Sequence, residues 1–518
     1  MKNRKKGLSK LFILLVALLV FITGCSSDNG GDNANTELVV ANGADPVTFD
    51  IQATNDQATT RIARQIYDTL IKQTNDLELV PALATKWEHI GDNVYEFTLR
   101  DDVTFHNGEK FTANDVAFTL RRAKESASIG HIVGAIDPDT IEVVSDTVIR
   151  FGTFEAFGPL LTHLAHPATA ILNEKAVTDA GEDYGTTVVV GTGPFKFESW
   201  TTGDRVIATR FDDYWGDAPA LERIVFKTIA DPSVRLIELE TGAAHIAYDL
   251  SPQDLDKVRD NDDLTLLNTA NLGAEYLGLN LQSDTPLKDK NVRKAIAHAI
   301  NVEEIIDVVY LNVGSQMSGP INELVFGFND ALEPYAFDLD LAKDYLAQAG
   351  YPDGGFELVL QVGDNSQERI LVAQVVQESL AKIGITVNVR QSEWASFLDS
   401  TGKGEGDMFL LGWTTVTTDG DYGLYPLFHS SQFGAAGNRS FYKNDEVDRL
   451  LELGRYTSNE DSDLRADYYK EVQRIVHDEL PWVFLQTREN VTGISNRVKG
   501  FEHHPTGSYF LEDVSLTD

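Results

Sequence analysis

Apolar and polar positions along this chain repeat with two different periods, and the changes of period mark out its elements. Val94-Tyr95-Glu96-Phe97-Thr98-Leu99-Arg100 alternates every second residue, as a half-buried strand does, and Leu38-Val39-Val40-Ala41 and residues 193–200 have the same character. Helical spacing interleaves with these strands. Thr112-Ala113-Asn114-Asp115 opens a helix that carries Val116, Phe118, Thr119 and Leu120, and a second helix begins near Pro232, with Val234, Ile237 and Leu239 ahead of Gly242. Mixed strands and helices predict an α/β or α+β protein.

From about residue 276 the periods are clearer. Leu277, Leu279 and Leu281 alternate along a strand, and Val292, Ala295, Ile296, Ala299 and Ile300 then form one helical stripe. Phe356, Leu358, Leu360 and Val362 predict a strand, and residues 363–368 a turn. A helix with Val372, Val375, Val376, Leu380 and Ile383 ends at Gly384, and residues 385–389 form the next strand. This is a βαβ unit with a right-handed crossover. Ligands collect at the carboxyl ends of strands in open α/β sheets, which nominates two loops: 363–369, and the segment after the strand 408–413. There is no repeat of 20–50 residues and no heptad pattern.

Composition narrows the function. The chain has 518 residues and a formal charge of −37, with 80 acidic against 43 basic side chains, which disfavours a nucleic-acid partner. Its single cysteine rules out an intramolecular disulfide and metal sites built on several thiolates. That cysteine, Cys25, has a telling position. Residues 1–24 carry Lys2, Arg4, Lys5, Lys6 and Lys10 and no acid, and residues 11–22 are an unbroken apolar run. Twelve residues rise about 18 Å as a helix, short of the roughly 30 Å bilayer core, so the run reads as a secretory signal and not as a membrane span. Ile22-Thr23-Gly24-Cys25 resembles the bacterial lipobox, in which the cysteine is lipidated and becomes the first residue after cleavage. Residues 25–36, rich in Gly, Ser, Asn and Asp, then form a flexible tether. Loss of the signal would take the formal charge from −37 to −42. An anionic leaflet repels such a body, so a lipid would have to hold it at the membrane.

Catalytic and cofactor motifs are sparse. GxxxxGK[ST], HExxH, GxSxG and a GxGxxG after a strand are all absent. His503 and His504 are adjacent, but neighbours on a strand point apart, which argues against a shared metal. Asp419-Gly420-Asp421 lacks the rest of a calcium loop. Close carboxylate pairs of the glycosidase kind arise by chance in so acidic a chain, and a secreted hydrolase stays open as a rival reading. What stands out is a set of aromatic and charged loop residues. Trp394, Trp413, Tyr422, Tyr425 and Phe428 surround Asp419 and Asp421, and an acid beside aromatic faces suits an ammonium group. Arg369 opens the helix after the 363–368 turn, where its guanidinium suits a carboxylate. Together these fit a zwitterion. The competing reading makes the aromatics core residues and Arg369 a solvated charge.

Several blocks carry a family resemblance: Pro81-Ala-Leu-Ala-Thr-Lys-Trp-Glu88; Tyr95-Glu-Phe-Thr-Leu-Arg-Asp-Asp-Val-Thr-Phe-His-Asn-Gly-Glu-Lys-Phe-Thr-Ala-Asn-Asp-Val116; Gly191-Thr-Gly-Pro-Phe195; Phe211-Asp-Asp-Tyr-Trp-Gly216; and Val292-Arg-Lys-Ala-Ile296. In this order they resemble the family-5 extracellular solute-binding proteins, the peptide, nickel and glutathione receptors of ABC importers. The resemblance runs from about residue 37 to 518. It implies a two-lobed periplasmic-binding-protein-like α/β fold, of type II in its large family-5 form, with a cleft between lobes. Lobe I would comprise 37–275 and 486–518, and lobe II 276–485. Ligand would be enclosed by hinge closure without chemistry or a cofactor. The partners implied are membrane permease subunits with a separate ATPase, and the protein would be a monomer on the extracytoplasmic face of the cell membrane.

Within the family, Leu164-Ala-His-Pro-Ala-Thr-Ala170, the segment 412–428 and Ser440-Phe-Tyr-Lys-Asn444 look most like the glutathione-binding branch. Dipeptide receptors carry in the equivalent loop an acid that anchors the ligand amine. The resemblance puts Asp419 in that role, with Gly-Asp-Tyr replacing Pro-Asp-Asn, and their carboxylate-clamping arginine falls within a residue or two of Arg369. Trp413 would line the wall. Glutathione carries a net charge of −1, so its cleft in so acidic a protein must be locally basic, and Arg369 and Arg439 are the candidates. A dipeptide or short oligopeptide is the second expected ligand, and a peptide-signalling receptor shares the fold.

Overall fold

The computed structural model describes residues 36–54, 56–91, 93–364 and 366–517. The segments expected to be a signal peptide, a lipidation site at Cys25 and a tether up to residue 35 lie outside the described residues. An 11-stranded mixed sheet runs through the whole molecule. Its order is Ile385–Ser392, Phe356–Gly363, Met408–Thr414, Leu264–Leu279, Trp482–Ser495, Ile246–Tyr248, Glu37–Asn42, Arg223–Thr228, Arg205–Arg210 and Phe195–Thr201, with Ser315–Gln316 beside Trp482–Ser495. The predicted βαβ unit is present. Phe356–Gly363 and Ile385–Ser392 pair in parallel, and the helix Gln367–Ala381 crosses between them.

Two long strands join the halves of the molecule. In Leu264–Leu279, residues 264–270 pair with 489–495 and residues 274–278 with 482–487, with a register break between Ala270 and Ala274. Apolar side chains divide at the same place. One core draws on Leu38 through Tyr248 together with Ile494 through Leu516, and another on Leu272 through Leu485. A small third cluster, with Leu236, Leu250, Val258 and Val491, packs under the joint. A four-stranded antiparallel sheet (Ala84–Gly91, Val94–Leu99, Val148–Thr153 and Ile136–Ser145) belongs to the first half. The helix expected at Thr112 begins there with a complete capping box, the Thr112 and Asp115 side chains each accepting from the other's end of the first turn.

The halves touch across the cleft. Gly158 N–H donates to the Arg455 carbonyl at 3.1 Å, and Gln73 Nε2 donates to Thr418 Oγ1 at 2.8 Å. The guanidinium of Arg455 lies 5.4 Å from the centre of the Phe157 ring. This is a closed arrangement.

Candidate ligand-binding cleft

The loops after the strands Phe356–Gly363 and Met408–Thr414 meet at one end of the sheet, as the βαβ topology requires, and with residues of the first half they enclose a cavity of about 910 Å³. That is near the upper end for small-molecule sites, roughly 300–1,000 Å³. Trp394, Trp413, Asp421, Tyr422, Arg369 and Arg439, all nominated from sequence, line it. Asp419 does not.

Asp419 is the residue before the helix Gly420–Phe428, and that position dictates its role. A helix start leaves unpaired backbone N–H groups, and Asp419 Oδ1 caps them by accepting from Asp421 N–H at 2.9 Å. One Nη of Arg465 donates to both carboxylate oxygens, at 2.9 and 3.0 Å, within a pair whose side chains are only 1% and 4% exposed. With these bonds in place Asp419 is part of the frame. The acid that meets the cavity is Asp421, two residues further on. The signal for this was in the motif itself, since Gly420-Asp421-Tyr422 matched against Pro-Asp-Asn puts the acid at 421.

Asp421 is as buried as Asp419 but poorly compensated. Its Oδ1 has no hydrogen-bond partner, and Arg455 Nε stands 3.5 Å away, an ion pair without a hydrogen bond. Burial pushes its carboxyl up to about 6, against the pull of Arg455. His163, from the other half, brings its Nε2 to 4.0 Å from Asp421 Oδ2. The His163 Nδ1 lies 2.7 Å from the Ile132 carbonyl, so the proton sits on Nδ1 and Nε2 is a bare acceptor. Burial lowers this histidine to about 4, which keeps it neutral. Two buried acceptors, Asp421 and His163 Nε2, therefore face each other without a donor between them. An ammonium supplies what both lack.

Arg369 also differs from expectation. Its fork is occupied within the chain: Nε and Nη2 each donate to Glu275 at 2.9 Å. Arg488 Nε approaches the same carboxylate at 3.0 Å. Burial alone would raise the Glu275 carboxyl, and the two guanidiniums outweigh it and hold it below the usual range. Gly412 makes room for the cluster, since a Cβ there would fall 2.6 Å from Glu275 Oε1 and 2.7 Å from Arg488 Nη2. Two cations share one anion, so the cluster keeps a net positive charge toward the cavity. Arg439 adds another: its Nη1 donates to the Leu398 carbonyl at 2.6 Å and to Thr401 Oγ1 at 2.8 Å, and it has no carboxylate partner among the described residues. With Arg455, four arginines and a single carboxylate line the wall. Sequence reasoning named two of these arginines and missed Arg455 and Arg488, which lie on a helix and a strand far along the chain.

Trp413 and Tyr422 form an aromatic partition. Trp413 Nε1 donates to the Tyr422 carbonyl at 3.0 Å, and the two ring centres lie 5.4 Å apart. Tyr422 also stacks toward His131 of the first half at 6.4 Å. Trp394 stacks on Phe397 at the far wall. His503 and His504 lie away from the cavity, buried, with Nδ1 of each bonded to Tyr248 and Thr506 respectively.

Two lobes, a pair of connecting strands and a closed, charged, aromatic-walled cavity define a protein that encloses a solute. Comparison with known proteins agrees: the model of bacterial extracellular solute-binding proteins, family 5 (middle region), matches residues 78–435, and the chain belongs to this family. It is 28% identical over 494 residues to the glutathione-binding protein of Pectobacterium atrosepticum, covering 94% of this chain and 95% of that protein. It is 28% identical over 546 residues to the dipeptide-binding protein of Escherichia coli, covering 99% of each. Among solved structures, the ABC transporter-associated periplasmic binding protein DppA from Helicobacter pylori, in complex with the peptide STSA, superposes with a TM-score of 0.80 at 31% identity, covering 93% of this chain and 98% of that one. These are solute-binding proteins and not enzymes, which sets the hydrolase reading aside.

Proposed function

We propose that this protein is the lipid-anchored receptor of an ABC importer and that it captures glutathione, or a similar small acidic peptide, by closure of its lobes. One observation carries the ligand class: in a chain of charge −37, the cavity wall holds four arginines against one carboxylate. Glutathione has one amine and two carboxylates. Its ammonium would sit between Asp421 and His163 Nε2, and its carboxylates would meet Arg439 and the Arg369–Arg488 side. Charge-assisted bonds of this kind are worth about 1.5–3 kcal/mol each. The name of the Pectobacterium relative supports the same ligand. Cys25 would carry the lipid, and residues 37–275 with 486–518, and 276–485, would be the bodies that close on the ligand at the face of the permease.

A dipeptide or short oligopeptide is the second reading. The cavity size favours it, as do the dipeptide-binding relative and the peptide-bound structural neighbour. Calorimetric titration of the mature domain with glutathione, glutathione disulfide and di- to pentapeptides ranks the two. Glutathione binding at least tenfold tighter than neutral dipeptides supports the first reading. The reverse order supports the second, and binding of nickel or an opine in place of all of them contradicts both.

A further inference from the structure

Behind the Trp413–Tyr422 partition lies a second chamber of about 250 Å³. It shares Gly412, Trp413, Tyr422 and Arg488 with the main cavity, so the two are neighbours across one aromatic wall. Its charged lining consists of Arg64 and Arg488 alone; no carboxylate contributes. The other polar side chains include the hydroxyls of Thr60, Thr506 and Ser508, the Gln57 amide and the His166 imidazole. A chamber with two guanidiniums and no acid is unexpected in a chain where acids outnumber bases by 80 to 43.

Arg64 is the decisive residue. Its Nε is buried without a hydrogen-bond partner, and no carboxylate among the described residues pairs with it. Its guanidinium lies 5.2 Å from the centre of the Phe510 ring, a weak substitute for an anion. Burial lowers its basicity to about 10, which leaves it charged at neutral pH. The two histidines nearest in charge, His166 and His504, are each depressed first by burial and then by Arg64, so neither screens it. The arginines of the protein's interior are settled either by a carboxylate, as Arg61 is by Asp249 and Arg465 by Asp419, or by backbone carbonyls, as Arg235 and Arg293 are. Arg64 differs from both groups, because its guanidinium has neither a carboxylate nor a carbonyl partner among the described residues. A half-buried cation with an orphaned Nε and no protein partner is costly to keep, and an anion entering the chamber would offset that cost.

We infer that the chamber receives a carboxylate-bearing arm of the ligand, reaching past Trp413 onto Arg64 while the ligand amine stays at Asp421. This rests on the proposed peptide-like ligand and sharpens it: the preferred solutes carry at least two carboxylates set apart from one amine. The Ser508 hydroxyl is the one that can add a donor beside Arg64, since Thr60 Oγ1 already donates to the Asp56 carbonyl at 2.8 Å and Thr506 Oγ1 lies 2.7 Å from the His504 Nδ1 acceptor.

The test compares carboxylate with carboxamide in the full mature protein. Glutathione and its two mono-amidated forms are titrated calorimetrically into wild type, Arg64→Gln and Arg64→Lys. In wild type, amidation of the arm carboxylate weakens binding by about tenfold or more, the effect of one charge-assisted bond. In Arg64→Gln that penalty falls below about threefold while the penalty at the other carboxylate persists, and Arg64→Lys retains most of it. Equal amide penalties in wild type and Arg64→Gln overturn the chamber's role even though glutathione binds. If glutathione does not bind wild type, the glutathione reading fails alone, and Ala-Ala-Glu against Ala-Ala-Gln in the same variants decides the chamber by the same ratio. If no probe binds wild type, both are overturned. Ligand-free Arg64→Gln should melt no lower than wild type, because it removes an unpaired buried charge. A clear fall in melting temperature would show that Arg64 holds the fold together and would overturn the inference.

Discussion

Asp419 and Asp421 sit two residues apart in one loop, both buried, and the structure uses them in opposite ways. Asp419 has a cation on both oxygens and a helix to cap, so its charge is fully absorbed. Asp421 has an arginine at arm's length and a bare histidine nitrogen opposite it. One carboxylate is finished by the fold, and the other lines the cavity with an oxygen that has no hydrogen-bond partner. The same contrast separates the arginines: Arg465 is settled, and Arg64 and Arg439 lack a carboxylate. Burial alone therefore does not mark a binding residue. What distinguishes Asp421 is a missing partner on a side chain that also lines the cavity.

Breaking the finished pair should have the largest effect. Asp419→Ala leaves Arg465 as an uncompensated buried charge and removes a helix cap, so we expect a loss of about 3–5 kcal/mol of stability. Chemical denaturation read by circular dichroism measures it, and a change below about 1 kcal/mol would refute the structural role. Asp421→Asn should do the reverse. Stability holds or rises slightly, while affinity for an amine-bearing ligand drops by about 1.5–3 kcal/mol in calorimetry at neutral pH. If both variants lose stability equally, the distinction between the two acids fails.

A pH titration sharpens the comparison. The Asp421 carboxyl is raised to about 6 in the folded protein, above the about 3.9 of an unfolded chain, so its neutral form is favoured by folding. Its contribution to the stability of the ligand-free protein is therefore present below about pH 4 and is lost as pH rises through about 6. Ligand affinity runs the other way, because an ammonium needs the ionised form. Affinity should fall as pH drops below about 6, and binding near pH 6 should release a proton, seen as a dependence of the calorimetric enthalpy on buffer. Asp421→Asn should abolish that dependence. Smallest is Arg439→Gln. Two of its donor contacts are to the protein's own oxygens, so we expect only about 0.5–1.5 kcal/mol of lost affinity for a dicarboxylate ligand, with neutral dipeptides unaffected.

Much of this architecture was legible before the structure. Alternation in residues 94–100, the stripe from Val292 to Ile300 and the βαβ pattern from Phe356 to Val389 are local signals, and each element formed where its period placed it. The topology rule then named both loops that line the cavity. Partners were not legible, because pairing is not local. Nothing near Arg369 in sequence announces that Glu275, 94 residues away, fills its fork, and nothing near Asp419 announces Arg465. Arg488 and Arg64 lie on elements with ordinary periodicity, and only the fold brings them to the wall beside Trp413. The Asp419 assignment failed for a different reason. A helix-capping acid and a ligand-anchoring acid look alike in sequence, and the N-cap position decides between them.

The most direct measurement is a calorimetric comparison of glutathione with its N-acetylated form, which lacks the ammonium, against wild type and Asp421→Asn. The account predicts that acetylation weakens binding to wild type by about tenfold or more and has little further effect in the variant, since the two changes remove the same interaction. Equal affinity of wild type for both forms would contradict it.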